Sequence, residues 1–483
     1  MPTFHVENFG CRATQADGAA LEQQFESRGL ARATSKEADV VILNTCTVTN
    51  SADQDARAAV RRVRRQNPLA KIVVTGCYAQ RAPEEIAALP GVSAVIGNSH
   101  KHQLAEIVFD EFTRRENFVP LSTLAGMGKP HPAGEQRVLF VSDIFAHTEL
   151  LGAPVFEASG VVEGSRTRPN LKVQDGCDNR CSFCVIPSVR GHSRSLGLSE
   201  VIGEVNALVE ASYKELVISG INLGRWGRDL GVQISDPGRA RKSNDESPRS
   251  KGEVATPVFE ELLRAILTQT RLEKLRISSV EPMDWTDSLI ALVASSPRIA
   301  RHAHVPLQSG SDAVLRRMHR KYRPWHYRDR IEKIHAAMPS AAIGADVMVG
   351  FAGETEAEFE ATRRMIADLP FTYLHVFTYS ARPGTAAAAM SNQVPMHVAR
   401  ERNKILRDLA AEKKLAFMKT FVGRSLDAIT LTHAGSEGNF TEALTDNYQK
   451  LYLEGIHAPN QWVTARIDGA KDGALSGRIC ATL

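Results

Sequence analysis

The sequence predicts an α/β protein in three parts: an N-terminal parallel-sheet α/β domain, a central partial (β/α)6 barrel, and a small C-terminal all-β barrel. Three observations carry this. Apolar strand-like runs alternate with helical stretches from the amino terminus to about residue 380, the pattern of parallel sheets. Between Leu171 and Ser380 the alternation gives six β/α units, an open relative of the closed eight-fold barrel. After Phe421, helical periodicity gives way to short strands with Gly-rich turns. The expected divisions are 1–117, a connector at 118–168, 169–420 and 421–483.

Each element has its own signal. Thr3–Asn8 reads as a strand; Asp39–Asn44 and Lys71–Thr75 are apolar runs of the kind buried on both faces of a parallel sheet. The helices between them are Ala16–Arg28, ahead of Gly29, and Ala52–Gln66, ahead of Pro68. Pro130, Pro132 and several glycines punctuate the connector, which shows no assignable pattern. The barrel strands are Leu171–Gln174, Glu215–Ser219, Lys274–Ser278, His302–Leu307, Ala342–Val349 and Leu374–Tyr379. Helical patterns such as Ser199–Ala211, Val258–Thr270 and Glu356–Leu369 separate them. Ser235–Glu253 has almost nothing apolar and reads as a disordered surface insertion. Val398–Lys419 is a long helix, followed by strands at Leu426–Thr432, Phe440–Leu444, Lys450–Leu453 and Trp462–Ile467.

Composition narrows the class. A chain of 483 residues with 43% hydrophobic content supports sizeable cores, and a net charge of +4 permits a nucleic-acid partner without demanding one. No long apolar run predicts a membrane-spanning helix, and Met1–Asn8 lacks the charged-then-apolar pattern of a secretion signal. Seven cysteines in such a chain point to reduced thiols and metal work rather than disulfides.

Three of them, Cys177, Cys181 and Cys184, form a C-x3-C-x2-C run on the loop after the first barrel strand, the face where barrel chemistry sits. Iron–sulfur cubes are normally held by four thiolates. Three leave one iron open to a substrate, as catalytic metal sites keep a position open. S-adenosylmethionine is such a substrate, and its reductive cleavage to a 5′-deoxyadenosyl radical is chemistry that side chains cannot supply. The competing reading is structural thiols or a zinc site completed by a histidine such as His192, although a second C-x2-C pair is absent. Cys11, Cys46 and Cys77 each follow a strand of the first sheet, and ligands of parallel sheets gather at carboxyl ends. They are expected to converge on a second cluster, against the alternative of three inert buried thiols. Cys480 lies outside both sets.

Further motifs bring a family into view: Phe9-Gly-Cys-Arg, Asn44-Thr-Cys-Thr-Val-Thr-Asn, Thr75-Gly-Cys-Tyr-Ala-Gln, Arg276-Ile-Ser-Ser-Val-Glu, His375-Val-Phe-Thr-Tyr-Ser and Thr445-Asp-Asn-Tyr. With them the chain resembles, over nearly its whole length, the methylthiotransferases, radical enzymes that insert sulfur and add a methyl group. The likeness points to the tRNA enzymes acting on N6-threonylcarbamoyladenosine at position 37, with a C-terminal barrel of the TRAM kind. It implies that Cys177, Cys181 and Cys184 hold the [4Fe–4S] cluster that binds S-adenosylmethionine, and that Cys11, Cys46 and Cys77 hold an auxiliary one. The radical would take hydrogen from adenine C2, sulfur would join that carbon, and a second S-adenosylmethionine would supply the methyl group. Gly220, Asn222, Ser279, Glu281 and Gln308, at successive strand ends, are candidates to line the cofactor, with ordinary strand-end turns as the alternative. The implied partners are a tRNA anticodon loop, an electron donor such as flavodoxin or ferredoxin, and a sulfur donor, in the cytoplasm and without a membrane.

RNA contacts are sought in the charge pattern. Arg316, Arg317, Arg320, Lys321 and Arg323, with Tyr322 among them, suit phosphate attraction and base stacking. Arg57, Arg61 and Arg64 share a helix face, for RNA or merely for solvent. The last segment has more acids than bases, so any RNA contact there is local. Ala13-Thr14 and Ala352 depart from residues usual in the family, asparagine at the second position of the pair and proline respectively. Thr47-Val48-Thr49-Asn50 after Cys46 sets the chain apart from the isopentenyladenosine enzymes, which continue Val-Arg-Glu, and from those modifying a ribosomal-protein aspartate, which show Gly-Phe. A non-enzymatic iron–sulfur RNA-binding protein is the alternative from another class.

Overall fold

The computed structural model describes residues 2–114, 138–147, 167–230, 258–434 and 439–482. The first sheet comprises β1 (Thr3–Asn8), β2 (Ala31–Arg32), β3 (Val40–Thr45), β4 (Lys71–Gly76), β5 (Val92–Gly97) and β6 (Val138–Phe140). All are parallel, in the order β2-β1-β3-β4-β5-β6. Every residue of β3 is buried, because helices cover both faces and its β-branched run suits a central strand. The helix expected from Ala16 starts at Arg12, with Cys11 in the N-cap position. The second helix, Asn50–Gln66, is capped by Thr49, whose hydroxyl accepts from the Ala52 amide, and stops before Pro68. Three strands were not expected: the two-residue β2, β5, and β6, which recruits part of the connector by pairing Val138–Phe140 with Ala94–Ile96.

The second unit holds β7 (Asn170–Asp175), β8 (Arg194–Ser195), β9 (Glu215–Gly220), β10 (Lys274–Ile277), β11 (His302–His304), β12 (Ala342–Val349) and β13 (Tyr373–Thr378). Six of these run parallel in chain order; β8 is a short antiparallel addition to β7 that the pattern did not signal. Between β10 and β11 the contact thins to the bridges Leu275↔Ile299 and Ser279↔His304. The expected strand His302–Leu307 ends early, since the chain turns at Gln308, which takes a left-handed φ of 61°. Leu171, Leu216, Ile218, Leu275, Ile343 and Val347 fill the interface between this arc and its helices. The insertion expected at 235–253 lies outside the described residues.

The long helix Met396–Lys419 leads into β14 (Ser425–Ala434), β15 (Phe440–Thr445), β16 (Lys450–Glu454), β17 (Trp462–Lys471) and β18 (Ala474–Thr482). They close into a barrel in the order β14-β15-β16-β18-β17. Its Thr445-Asp-Asn-Tyr turn docks on the arc: the buried Arg276 donates to the Thr445 and Asp446 carbonyls, and Asn447 donates to Ser340 O at 3.1 Å. Among the described residues, no helix is long and apolar enough to cross a membrane.

Candidate active site

Register brings the first three cysteines together. β1, β3 and β4 are consecutive in the sheet; Asn8 pairs with Asn44, and Thr45 with Gly76. Cys46 and Cys77 therefore leave neighbouring strands at one level, roughly 5 Å apart in the sheet direction, and Cys11 follows β1 alongside them. Gly10 makes the approach possible: its φ is +104°, and a Cβ there would lie 2.5 Å from Cys46 Cβ. Thr14, one of the departures from the family pattern, lies with its hydroxyl 3.6 Å from Cys11 Sγ. Burial, and then Cys77 and Cys11 beside it, pushes the Cys46 thiol up to about 12.

The second triplet sits on the loop between β7 and the short helix Ile186–Arg190. Gly176 sets the turn into Cys177: φ is +70°, and a Cβ would lie 1.9 Å from His192 O. Burial pushes Cys177 up to about 11 and Cys184 to about 12. All seven cysteines are free of disulfides.

The two triplets are tied by a buried assembly that sequence reading missed. The helix after Cys184 packs Val185 and Val189 against Cys77, while Asn98 donates to Val189 O at 2.7 Å and lies 3.6 Å from Cys77 Sγ. Arg190 reaches Asp17 and Asp175 at 2.9 Å each. Lys101 meets Asp17 at 3.0 Å, and Lys172 bonds both Asp17 and Asp175. Burial alone would raise the Asp17 carboxyl; Lys101, Lys172 and Arg190 outweigh it and hold it well below the usual range. Arg190 is held charged against burial by Asp175, Cys77 and Asp17. Asp17, Asn98, Lys101, Lys172, Asp175 and Arg190 line a small polar pocket together with His102, His147 and Arg194. The sequence signal was weak, since an isolated Asp in a helix and a Lys in a strand look like surface positions.

A second clamp holds the Cys46 loop. Arg382, which is buried, donates to Thr47 Oγ1 at 3.0 Å and bonds Asp53 and Asn50. Ser380 accepts from the Asn50 amide at 3.2 Å. The distinctive Thr47–Asn50 segment is thus the contact between the first sheet and the end of β13.

The candidate cofactor residues divide. Asn222 lies with Nδ2 3.8 Å from Cys177 Sγ, and its buried Oδ1 has no partner; Ser219 Oγ and Ser278 Oγ are orphaned likewise. Buried acceptors and hydroxyls rarely stay unpaired, so the strand ends beside the second triplet fit a polar ligand. Gly220 serves another purpose than expected: a Cβ there would lie 2.8 Å from Gln174 Oε1, so it admits Gln174, which accepts from the Asn222 amide at 2.7 Å. Ser279 bonds His304, and Gln308 holds the strained turn. Burial raises Glu281 despite its ion pair with Arg320.

The basic run requires a correction. Arg320 is 7% exposed, bonded to Glu281 and 3.4 Å from Cys181 Sγ, and Tyr322 is 1% exposed with its hydroxyl donating to Leu307 O at 2.6 Å. Arg317 forks onto Glu358, and Arg316 and Arg323 both pair with Asp312. This segment therefore folds around the second triplet rather than offering a row of free cations, with Lys321 alone of the five exposed and without such a pairing. On the other candidate face Arg57 bonds Tyr78 and Glu85, and Arg64 bonds Pro68 O. His192, the possible zinc ligand, instead pairs with Asp178 at 2.8 Å on the surface.

The donor sets fit clusters better than single ions. Four thiolates around one zinc sit about 3.8 Å apart, given Zn–S near 2.3 Å. Among the described residues, the one set of three Cys, His, Asp or Glu ligand atoms all within 4.8 Å of one another is His304, Asp346 and His375. Neither cysteine triplet is drawn in that far, which suits the corners of a larger iron–sulfur cube. An arc of six parallel strands with such a triplet after its first strand defines a radical S-adenosylmethionine enzyme.

Known proteins narrow the class. The radical SAM superfamily matches residues 171–366, and a family described as uncharacterized protein family UPF0004 matches residues 3–97. The threonylcarbamoyladenosine tRNA methylthiotransferase MtaB of Bacillus subtilis (strain 168) is 36% identical over 94% of this chain and 91% of its own length. MtaB of Aquifex aeolicus (strain VF5) is 33% identical over 93% and 96%. A tRNA-2-methylthio-N(6)-dimethylallyladenosine synthase from Novosphingobium aromaticivorans is 30% identical over 99% and 97%. In fold, the chain is similar to the solved radical S-adenosylmethionine methyltransferase TsrM of Kitasatospora setae, with a TM-score of 0.50 at 14% identity over 80% of this chain and 77% of that one. The chain belongs to the methylthiotransferase family of radical S-adenosylmethionine enzymes. It is a tRNA methylthiotransferase that uses S-adenosylmethionine and two [4Fe–4S] clusters.

Proposed function

We propose that this enzyme converts N6-threonylcarbamoyladenosine at position 37 of tRNA to its 2-methylthio derivative. The observation that carries the reading is the likeness, at 31–36% identity and over at least 93% of this chain, to relatives named for that substrate. Thr47–Asn50 after Cys46 supports it, because these residues differ from the Val-Arg-Glu of the isopentenyladenosine enzymes.

In this reading Cys177, Cys181 and Cys184 hold the cluster that binds S-adenosylmethionine, and Cys11, Cys46 and Cys77 hold the auxiliary one. Bound there, the cofactors would supply a radical able to take hydrogen from adenine C2, an iron able to carry the sulfur, and the methyl group. The chain's own residues do the rest. Asn222 offers its unpaired Oδ1 to the amino group of the methionine part. Glu281 anchors Arg320 against Cys181, which brings a positive charge to a cluster thiolate. Gln308 and Ser279 line the remaining strand ends, and Gly220 lets Gln174 fix the Asn222 turn. Residues 1–117, 169–420 and 421–483 act as auxiliary-cluster, radical and RNA-facing units. Flavodoxin or ferredoxin supplies electrons, a separate donor supplies sulfur, and the enzyme works in the cytoplasm. Within this run the RNA-binding candidate narrows to Lys321, since Arg316 and Arg323 pair with Asp312 and Arg317 with Glu358.

Mass spectrometry of tRNA nucleosides from cells lacking the gene, with and without its restoration, tests this. Loss and return of 2-methylthio-threonylcarbamoyladenosine is expected. Persistence of that nucleoside, with loss of the isopentenyladenosine form or of the ribosomal-protein mark, would overturn the substrate and leave the chemistry standing.

A further inference from the structure

The last strand of the arc carries a wall of rings that the cluster chemistry does not use. In β13, Leu374 and Val376 pack into the core, which leaves Tyr373, His375 and Phe377 on the opposite face. His375 is 54% exposed and Phe377 47%, unusual for one wall of a barrel strand. The rings run on without a break: Tyr373–His375 are 5.4 Å apart, His375–Phe377 6.5 Å and His304–His375 5.4 Å. Tyr373 stacks on His302, and Tyr448 of the C-terminal barrel closes the floor 4.5 Å from His302.

His375 is held in place. Its Nδ1 lies 3.2 Å from Asp346 Oδ1, the same oxygen lies 3.4 Å from His304 Nε2, and His304 Nδ1 is 2.6 Å from Ser279 Oγ. An exposed imidazole tied through three further side chains presents a fixed plane. Burial would raise the Asp346 carboxyl; hydrogen bonds from His304 and His375 outweigh it and keep it ionised.

The wall is also linked to the surroundings of both triplets. At one side, Ser279 is two residues from Glu281, whose partner Arg320 touches Cys181. At the other, β13 runs into Ser380 and Arg382, which hold the loop after Cys46. A base that gives hydrogen to a radical formed at one triplet and takes sulfur at the other is suited to a wall linked to the surroundings of both.

We propose that Tyr373, His375 and Phe377 form a purine-binding subsite in which the flipped-out target adenine stacks on the His375 ring plane. Stacking on an aromatic face suits a base taken out of its loop. This inference rests on the tRNA adenosine reading above.

The test uses the full chain with both clusters, S-adenosylmethionine, reductant and an anticodon stem-loop RNA carrying threonylcarbamoyladenosine. Base–aromatic stacking is worth about 1–3 kcal/mol, or roughly a five- to 150-fold effect. His375→Ala is expected to raise the KM for RNA at least about tenfold, within that range, while 5′-deoxyadenosine still forms without RNA. His375→Phe, which keeps a ring, is expected to recover most of the loss. A KM within about twofold of wild type in His375→Ala would overturn the subsite, and so would a Phe variant no better than Ala. Loss of 5′-deoxyadenosine together with product would assign His375 a purely structural role. One equivalent of a divalent ion beyond the cluster iron, absent from His375→Ala, would make the trio an ion site and overturn the proposal. If the wild type itself fails to modify the RNA, the substrate reading falls and takes the subsite with it; if the wild type succeeds and the variants match it, the subsite alone falls.

Discussion

The two cysteine triplets reach similar arrangements by opposite routes. Cys177, Cys181 and Cys184 lie on one loop, so their proximity follows from chain length alone. Cys11, Cys46 and Cys77 come from three strands, and their proximity exists only while β1, β3 and β4 keep register. The local triplet is fixed by a turn, at Gly176. The distributed one needs a close approach at Gly10, the Arg382 clamp and the Asp17 charge assembly. The distributed site thus depends on strand register for its very assembly, whereas the local one draws on distant residues such as Arg320 only for its surroundings.

The comparison can be broken most severely at the ligands. Cys177→Ala should abolish 5′-deoxyadenosine formation; measurable cleavage by the reduced protein would remove that triplet from the cofactor site. Cys46→Ala should still cleave S-adenosylmethionine but yield no methylthio product, and retained product would sink the auxiliary role. Next comes Asp17→Asn, which leaves Lys101, Lys172 and Arg190 buried without their common partner. Breaking a buried ion assembly in this way costs about 3–5 kcal/mol, so the midpoint of chemical denaturation should fall accordingly, and iron should be lost first from the distributed triplet. An unchanged midpoint would show that the assembly contributes no net stability. Arg382→Ala, removing bonds to Thr47, Asp53 and Asn50, should cost about 2 kcal/mol and lower product more than cleavage; equal losses in both would refute a clamp specific to the Cys46 loop. The smallest effect is expected from Arg316→Ala. Its exposed pair with Asp312 is worth about 0.3–0.5 kcal/mol, and tRNA affinity measured by filter binding should change little, whereas a large loss would restore the basic run as an RNA surface.

What was legible in the sequence follows the same division. Apolar runs gave most strands of both sheets because a parallel strand buried on two faces is apolar along most of its length, as β3 and, apart from Asp346, β12 are. β2, β5, β6 and β8 were missed: β2 and β8 are two residues long, and β6 takes its identity from the edge it joins rather than from its own pattern. The C-terminal barrel was recognised, but β18 was not, since Ser476, Gly477, Arg478 and Cys480 interrupt its apolar alternation.

The basic run teaches the reverse lesson. Five cations in eight residues look like a surface in a linear chain, yet Arg320 is buried at Cys181 and Arg317 is spent on Glu358. A charge pattern shows which groups need partners, while the fold decides whether those partners are phosphates or neighbouring carboxylates.

By itself, then, the sequence determined the order of strands and helices, the spacing of Cys177, Cys181 and Cys184, and the strand-end positions of Cys11, Cys46 and Cys77. These depend on local geometry and on burial periodicity, which a chain carries residue by residue. Only the tertiary structure decided which side chains face one another: Asp17 with Arg190, Thr47 with Arg382, and Ser279 through His304 and Asp346 to His375. Those pairs join elements up to hundreds of residues apart. Their partners are chosen by sheet register and by the exclusion of water between packed layers, and neither leaves a mark in local spacing.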